Sequence, residues 1–168
     1  MAVIRKAKLS DVPRLVEIIN DFSKRRLLLP RTASDLCERI REMTVVEEEG
    51  TIVGCGALHF YSTEIAEIRS LAVLPTTQGK GLGRKLTEYL LEEAAQQELK
   101  RVFALTLVPE YFARLGFAEV GMETLPMKVW RDCIHCEKYF QCDEKAVVYF
   151  LDEDARLEAD NHEAVVEA

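Results

Sequence analysis

The sequence predicts an α+β (mixed α/β) fold: one mixed, twisted β-sheet with helices on both faces. Three observations predict it. Strand-length apolar runs and amphipathic helix patterns follow the order β-α-α-β-β-β-α-β-α-β-β. Consecutive early strands favour antiparallel pairing, while a strand–helix–strand run around three glycines favours a parallel pair. The length, 168 residues at 48% hydrophobic content, suits a single core. We place the domain at 1–151 and an acidic C-terminal tail at 152–168.

The elements are justified in turn. "VIRKAK" (3–8) reads as a short strand, and Ser10 as the cap of a helix with Val12, Leu15, Val16, Ile19 and Phe22 on one face. Pro30 makes "LLLPRT" (27–32) a connector. "SDLCERIREM" (34–43) is a second helix, turning Leu36, Ile40 and Met43 inward. "TVVEEEGTIVGCGALHFY" (44–61) is a hairpin turning at Glu49-Gly50, and Gly54 and Gly56 suggest a strand crowded by a neighbour. "EIAEIRSLAVLP" is a strand ended by Pro75. A long helix follows at 82–98, with Leu82, Leu86, Leu90 and Ala94 at spacing four and Arg84, Lys85, Glu88, Glu92 and Glu93 on the other side. "RVFALTL" is a buried strand, "PEYFARLGF" a short helix ending at Gly116, and "AEVG" a further strand. Residues 125–144 read as irregular, "KAVVYFL" (145–151) as the last strand, and the rest as a frayed tail or loose helix.

Charge and composition remove several functions. Net charge is −7, and no basic run exceeds Lys24–Arg26, which argues against nucleic-acid binding. No window approaches the ~18 apolar residues of a membrane span, and the N-terminus lacks an apolar core of signal-peptide length. A cytoplasmic protein without a membrane partner is expected. Five cysteines, an odd count, favour reduced thiols over disulfides.

"AVLPTTQGKGLGRKLTEYLL" (72–91) carries the chemistry. A dinucleotide fingerprint, G-x-G-x-x-G, fails here because Arg84 and Leu86 stand where its last glycine belongs. A nucleotide-triphosphate loop fails because Arg84, five residues after Gly79, takes the place of a glycine. What remains is Q-x-x-G-x-G: Gln78, Gly81, Gly83, then the helix. Glycines let the backbone turn tightly against a ligand. The first N–H groups of a helix lack internal partners and, with the helix dipole, attract anions. The loop therefore reads as a cradle for a phosphate or diphosphate.

"EIRSLAVLPTTQGKGLGRKLTEYLLEEA", with the order of elements from "IRKAKLSDVPRL" to "YFARLGF", resembles the core of the GNAT superfamily of N-acetyltransferases. The resemblance covers roughly residues 2–151. It implies acetyl-coenzyme A (acetyl-CoA) as cosubstrate, its diphosphate on Gln78, Gly79, Lys80, Gly81, Leu82, Gly83 and Arg84, and its pantetheine arm along Leu71, Ala72 and Val73. More narrowly, "LLLPRT", "EIRSLAV", "FALT", "LPMKVWRDCIHC" and "CDEKAV" together resemble short, single-domain amino-acid N-acetyltransferases of the N-acetylglutamate synthase type. That likeness implies L-glutamate as the small-molecule substrate.

Acetyl transfer needs a base for the ammonium, a donor for the developing oxyanion and a proton for the leaving thiolate. Glu67 is the expected base, with Glu64 second; a backbone N–H near Leu71 to Val73 is the oxyanion donor. Alternation puts Glu67, Arg69 and Leu71 on one face if no bulge intervenes. Where many family members carry a Tyr, four residues before Gly116, this chain has Phe112; its neighbour Tyr111, or water, is left to protonate the thiolate. A dicarboxylate substrate wants guanidinium forks. The resemblance favours Arg31 and Arg69, with Ser70 as a further donor, over Lys128 and Arg131 beside Trp130.

Cys133-x-x-Cys136 and Cys142, with His135 nearby, leave open a zinc site, a redox pair or packed thiols; we assign no metal. His59 reads as a satisfied strand residue and His162 as idle. The leading expectation is direct acetylation of L-glutamate. Acetylation of another small amine or a protein amine, and a non-catalytic acyl-CoA-binding module, are the alternatives. The last strands make a homodimer plausible.

Overall fold

A computed structural model describes residues 1–125 and 144–157. The elements are β1 (Ala2–Lys6), α1 (Val12–Lys24), α2 (Ala33–Glu38), β2 (Met43–Glu48), β3 (Thr51–Phe60), β4 (Ile65–Val73), α3 (Leu82–Gln96), β5 (Arg101–Thr106), α4 (Pro109–Ala113), β6 (Ala118–Val120) and β7 (Lys145–Phe150). This is the order read from the sequence. Two compact units share these elements: Met1–His59 with Ile68–Glu92, and Phe60–Glu67 with the chain from Glu93 onward. Strand order is β1-β2-β3-β4 in the first and β4-β5-β7-β6 in the second, with β4 running through both. The sheet is mixed, because β4 pairs parallel to β5 while the pairs β1–β2, β2–β3, β5–β7 and β6–β7 are antiparallel.

In the first unit, α1 packs Val12, Leu15, Ile18, Ile19 and Phe22 onto Val45, Cys55, Ala57 and Ala72. Ile18 joins this face and Val16 is only partly buried. The hairpin turns where expected: Glu49 (φ +50°) and Gly50 (φ +79°) both adopt the left-handed conformation that a two-residue turn between twisted strands requires. Gly54 and Gly56 are crowded, as their placement suggested. A Cβ on Gly54 would meet the Ala72 carbonyl at 3.0 Å, and one on Gly56 would meet Leu90 Cδ1 at 3.0 Å. The second unit centres on Ile65, Phe103, Leu125, Ala146 and Val148, packed by Tyr61 and Phe150.

The structure moves two helix boundaries. Helix α2 stops at Glu38 and continues as a 3-10 turn (Ile40–Glu42), and Met43 opens β2 instead. Ser10 is not a helix cap. A 3-10 turn (Leu9–Asp11) precedes α1, and the carboxylate that organises it belongs to Asp11. Asp11 accepts the Lys8 N–H at 2.7 Å and both terminal nitrogens of Arg5, at 2.8 and 3.1 Å. Arg5 also donates to Glu47 at 2.8 Å, which ties β1, β2 and the start of α1 together.

Hydrogen bonding from Arg5 holds the Asp11 carboxyl below the usual carboxylate range. The hydrogen bonds that Arg5 donates to Asp11, then to Glu47, raise its own pKa. A depressed carboxyl adds stability that is complete above its unfolded-state pKa and vanishes as pH falls through the folded one. Asp11→Asn should therefore cost about 2 kcal/mol near neutral pH and flatten the acid side of the stability curve. Urea denaturation of both forms between neutral pH and the acid transition checks this.

Candidate active site

The loop between β4 and α3 has the geometry expected of an anion cradle. A 3-10 turn (Pro75–Thr77) leaves β4, closed by the Thr77 N–H and hydroxyl on the Leu74 carbonyl at 3.0 and 2.9 Å. Gly79 (φ +90°) and Gly81 (φ +73°) then take left-handed conformations, open to glycine without strain. Nothing lies within 4 Å of where either Cβ would stand. The Gln78 N–H is bound by the Pro75 carbonyl, and the next N–H to find a backbone acceptor is that of Lys85, on Gly81 at 3.1 Å. Among the described residues, the N–H groups from Gly79 to Arg84 meet no protein acceptor. They are donors without a protein partner at the positive end of a fifteen-residue helix.

The loop's cationic side chains are already engaged. Lys80 Nζ lies 2.7 Å from Glu48 Oε1 and Arg84 Nε lies 3.0 Å from Glu88 Oε1. Both pairs are exposed enough to be weak. Gln78 turns its amide back onto the Val73 carbonyl at 3.4 Å. Leu71, Val73 and Leu82 meet in one apolar cluster with Leu86, which seats the mouth of α3 against the end of β4.

Within β4, Ser70 has φ +51°. A left-handed residue inside a strand marks a bulge and reverses the pleat beyond it. Beyond it Leu71 joins the α3 cluster and Ala72 the α1 cluster. Arg69 and Ser70 are half-buried. In the loop before α2, Arg31 is largely covered, its Nη1 3.4 Å from Asp35 and its N–H on Asn20 Oδ1 at 3.3 Å.

Glu67 is buried at 7% exposure, opposite Phe103 in β5. Its Oε2 accepts the Tyr61 hydroxyl at 2.7 Å. Tyr61 was not singled out from the sequence, yet its signal was there. The Tyr61 N–H bonds the Ile65 carbonyl across a turn whose Ser62 hydroxyl accepts the Glu64 and Ile65 N–H groups. Period-two alternation from Ile65 then puts Glu67 diagonally beside Tyr61. Glu64 is exposed and faces Lys100 at 3.4 Å. Tyr111 is half-buried, edge-on to Phe112, whose ring packs against Phe117.

Cys55, in β3 beside β4, is buried with its thiol on the Ser70 carbonyl at 3.4 Å, and burial pushes its pKa up to about 12. A thiol that stays protonated is no acyl acceptor at neutral pH. His59 Nδ1 lies 3.0 Å from Glu42 Oε1, to which it can donate, and 3.5 Å from Arg39 Nη1. The described residues include no group of three or more His, Cys, Asp or Glu placed to hold a metal ion. Lys128, Trp130, Arg131, Cys133, His135, Cys136, Cys142 and His162 lie outside the described residues. No helix among the described residues is long and apolar enough to cross a membrane.

The acetyltransferase (GNAT) family model matches residues 14–122, more than half of the chain. The chain belongs to the GNAT family. It is 38% identical over 148 residues to an uncharacterized N-acetyltransferase of Chlorobaculum tepidum, covering 88% of this chain and 96% of that one. To an amino-acid acetyltransferase of Mycobacterium tuberculosis it is 35% identical over 153 residues, covering 89% and 84% of the two chains. This GNAT chain also superposes with a TM-score of 0.82 and 28% identity on N-acetylglutamate synthase from Neisseria gonorrhoeae complexed with coenzyme A and N-acetyl-glutamate. That match covers 90% of this chain and 35% of the longer synthase.

Proposed function

We propose that this chain transfers the acetyl group of acetyl-CoA to the α-amine of L-glutamate. The observation that carries the proposal is the row of unspent N–H groups from Gly79 to Arg84, open above Gly79 and Gly81. A diphosphate fits such a row because each bridging or terminal oxygen can accept a donor already fixed by the fold. Support for the amino acid comes from the amino-acid acetyltransferase of Mycobacterium tuberculosis and from the product bound to the Neisseria synthase.

Acetyl-CoA supplies the acyl group as an activated thioester. On this reading the loop from Gln78 to Arg84 holds the diphosphate, and Leu71 to Val73 align the pantetheine arm along β4. Glu67 takes the proton from the substrate ammonium, directly or through water. The freed nitrogen bonds to the carbonyl carbon while the C–S bond breaks, and the second proton it sheds on becoming an amide balances the one the thiolate gains. A backbone N–H at Leu71 to Val73 receives the charge on the carbonyl oxygen. Tyr111 or water returns a proton to the thiolate. Arg31, Arg69 and Ser70 bind the substrate carboxylates.

The test is thiol release from acetyl-CoA with a panel of amino acids and with a peptide amine. We expect release with glutamate above aspartate and glutamine, and a KM for glutamate raised at least tenfold, on the scale of a lost charge-assisted hydrogen bond, in Arg31→Ala and Arg69→Ala. Turnover on the peptide alone, or coenzyme A binding without turnover on any amine, overturns the proposal.

A further inference from the structure

We infer that Tyr61 positions the Glu67 carboxylate for proton transfer, an inference that rests on Glu67 being the base. Three independent contacts fix the phenol. Its backbone N–H is bound to the Ile65 carbonyl at 3.0 Å. Its ring lies 5.7 Å from the ring of Phe103, which is itself fully buried and stands opposite Glu67 in the β4–β5 ladder. Its hydroxyl donates to Glu67 Oε2 at 2.7 Å.

The chemistry gives that last contact weight. A carboxylate on a two-bond side chain has several rotamers, and a base that samples them all spends little time aimed at one proton. An O–H donor at this distance from an ionised carboxylate belongs to the strong, charge-assisted class. It also sits where Glu67 is almost fully covered, so water competes little for the same oxygen. The turn that holds Tyr61 is short and internally bonded through Ser62, so the donor's own position is set before any substrate arrives. Tyr61 also packs in the apolar cluster of Ile65 and Phe103. Tyr61→Phe separates the two roles, since it keeps the ring and removes only the hydroxyl.

The experiment is a double-mutant cycle of Tyr61→Phe and Glu67→Gln, each form assayed at saturating acetyl-CoA with the best amine of the panel and melted in parallel. We expect Tyr61→Phe to lower kcat on the order of tenfold, as for a lost hydrogen bond to a charged group. The KM for acetyl-CoA stays at the parent value, and the melting temperature falls by only a few degrees, so the fold persists. In the Glu67→Gln background the same change adds less than about twofold, because the group being positioned is gone. Parent kcat in Tyr61→Phe, or an equal loss in both backgrounds, overturns the positioning role. Failure of the base assignment shows separately, as a Glu67→Gln enzyme that works at the parent rate.

Discussion

Glu67→Gln is expected to lower kcat about a hundredfold near neutral pH, within the range for loss of a positioned general base. The effect should be largest at low pH, where the amine is most protonated and most needs help, and should shrink as pH rises and solvent supplies free amine. Stability should change little. Glutamine keeps the shape and an oxygen that can accept the Tyr61 hydroxyl, now 2.7 Å from Oε2. A kcat–pH profile beside a thermal melt checks both. A variant that matches the parent rate at every pH would remove Glu67 from the mechanism.

Gly81→Val is expected to weaken coenzyme A binding on the order of a hundredfold, the worth of one or two charge-assisted hydrogen bonds. Gly81 holds φ +73°, a region closed to a β-branched residue without strain of roughly 1–2 kcal/mol. The space around it is empty to 4 Å, so no clash with the protein accompanies the strain. Relief of that strain would swing the neighbouring N–H groups away from a common ligand, and the valine would stand in the cradle itself. Calorimetric titration gives the affinity, and a melting temperature lowered by only a few degrees would show that the fold persists. Unchanged affinity with a lowered melting temperature would mean that the diphosphate binds elsewhere.

Two kinds of information met in this chain. Helix α3 was legible because Leu82, Leu86, Leu90 and Ala94 repeat at helical spacing, and all four are buried. The hairpin was legible because Glu49-Gly50 interrupts two apolar runs, and the turn into α3 because glycines stand between a strand and a helix. These are local patterns, and the chain's own stereochemistry reads them. Ser10 misled because a hydroxyl before an apolar run is a generic cap signal, while Asp11 gained two hydrogen bonds from one charged partner in β1, Arg5, that only the folded chain supplies.

The sequence by itself determined the order of elements, the glycine loop and the residue types available for acetyl transfer. Tertiary structure decided which of them meet. It gave Glu67 its tyrosine, set Lys80 against Glu48 across thirty-two positions of sequence, broke the pleat at Ser70 and put β7 between β5 and β6. Periodicity reports which side of an element is buried. Partners distant in sequence are chosen by backbone hydrogen bonds and charges that must be satisfied all at once, and no single segment carries that condition.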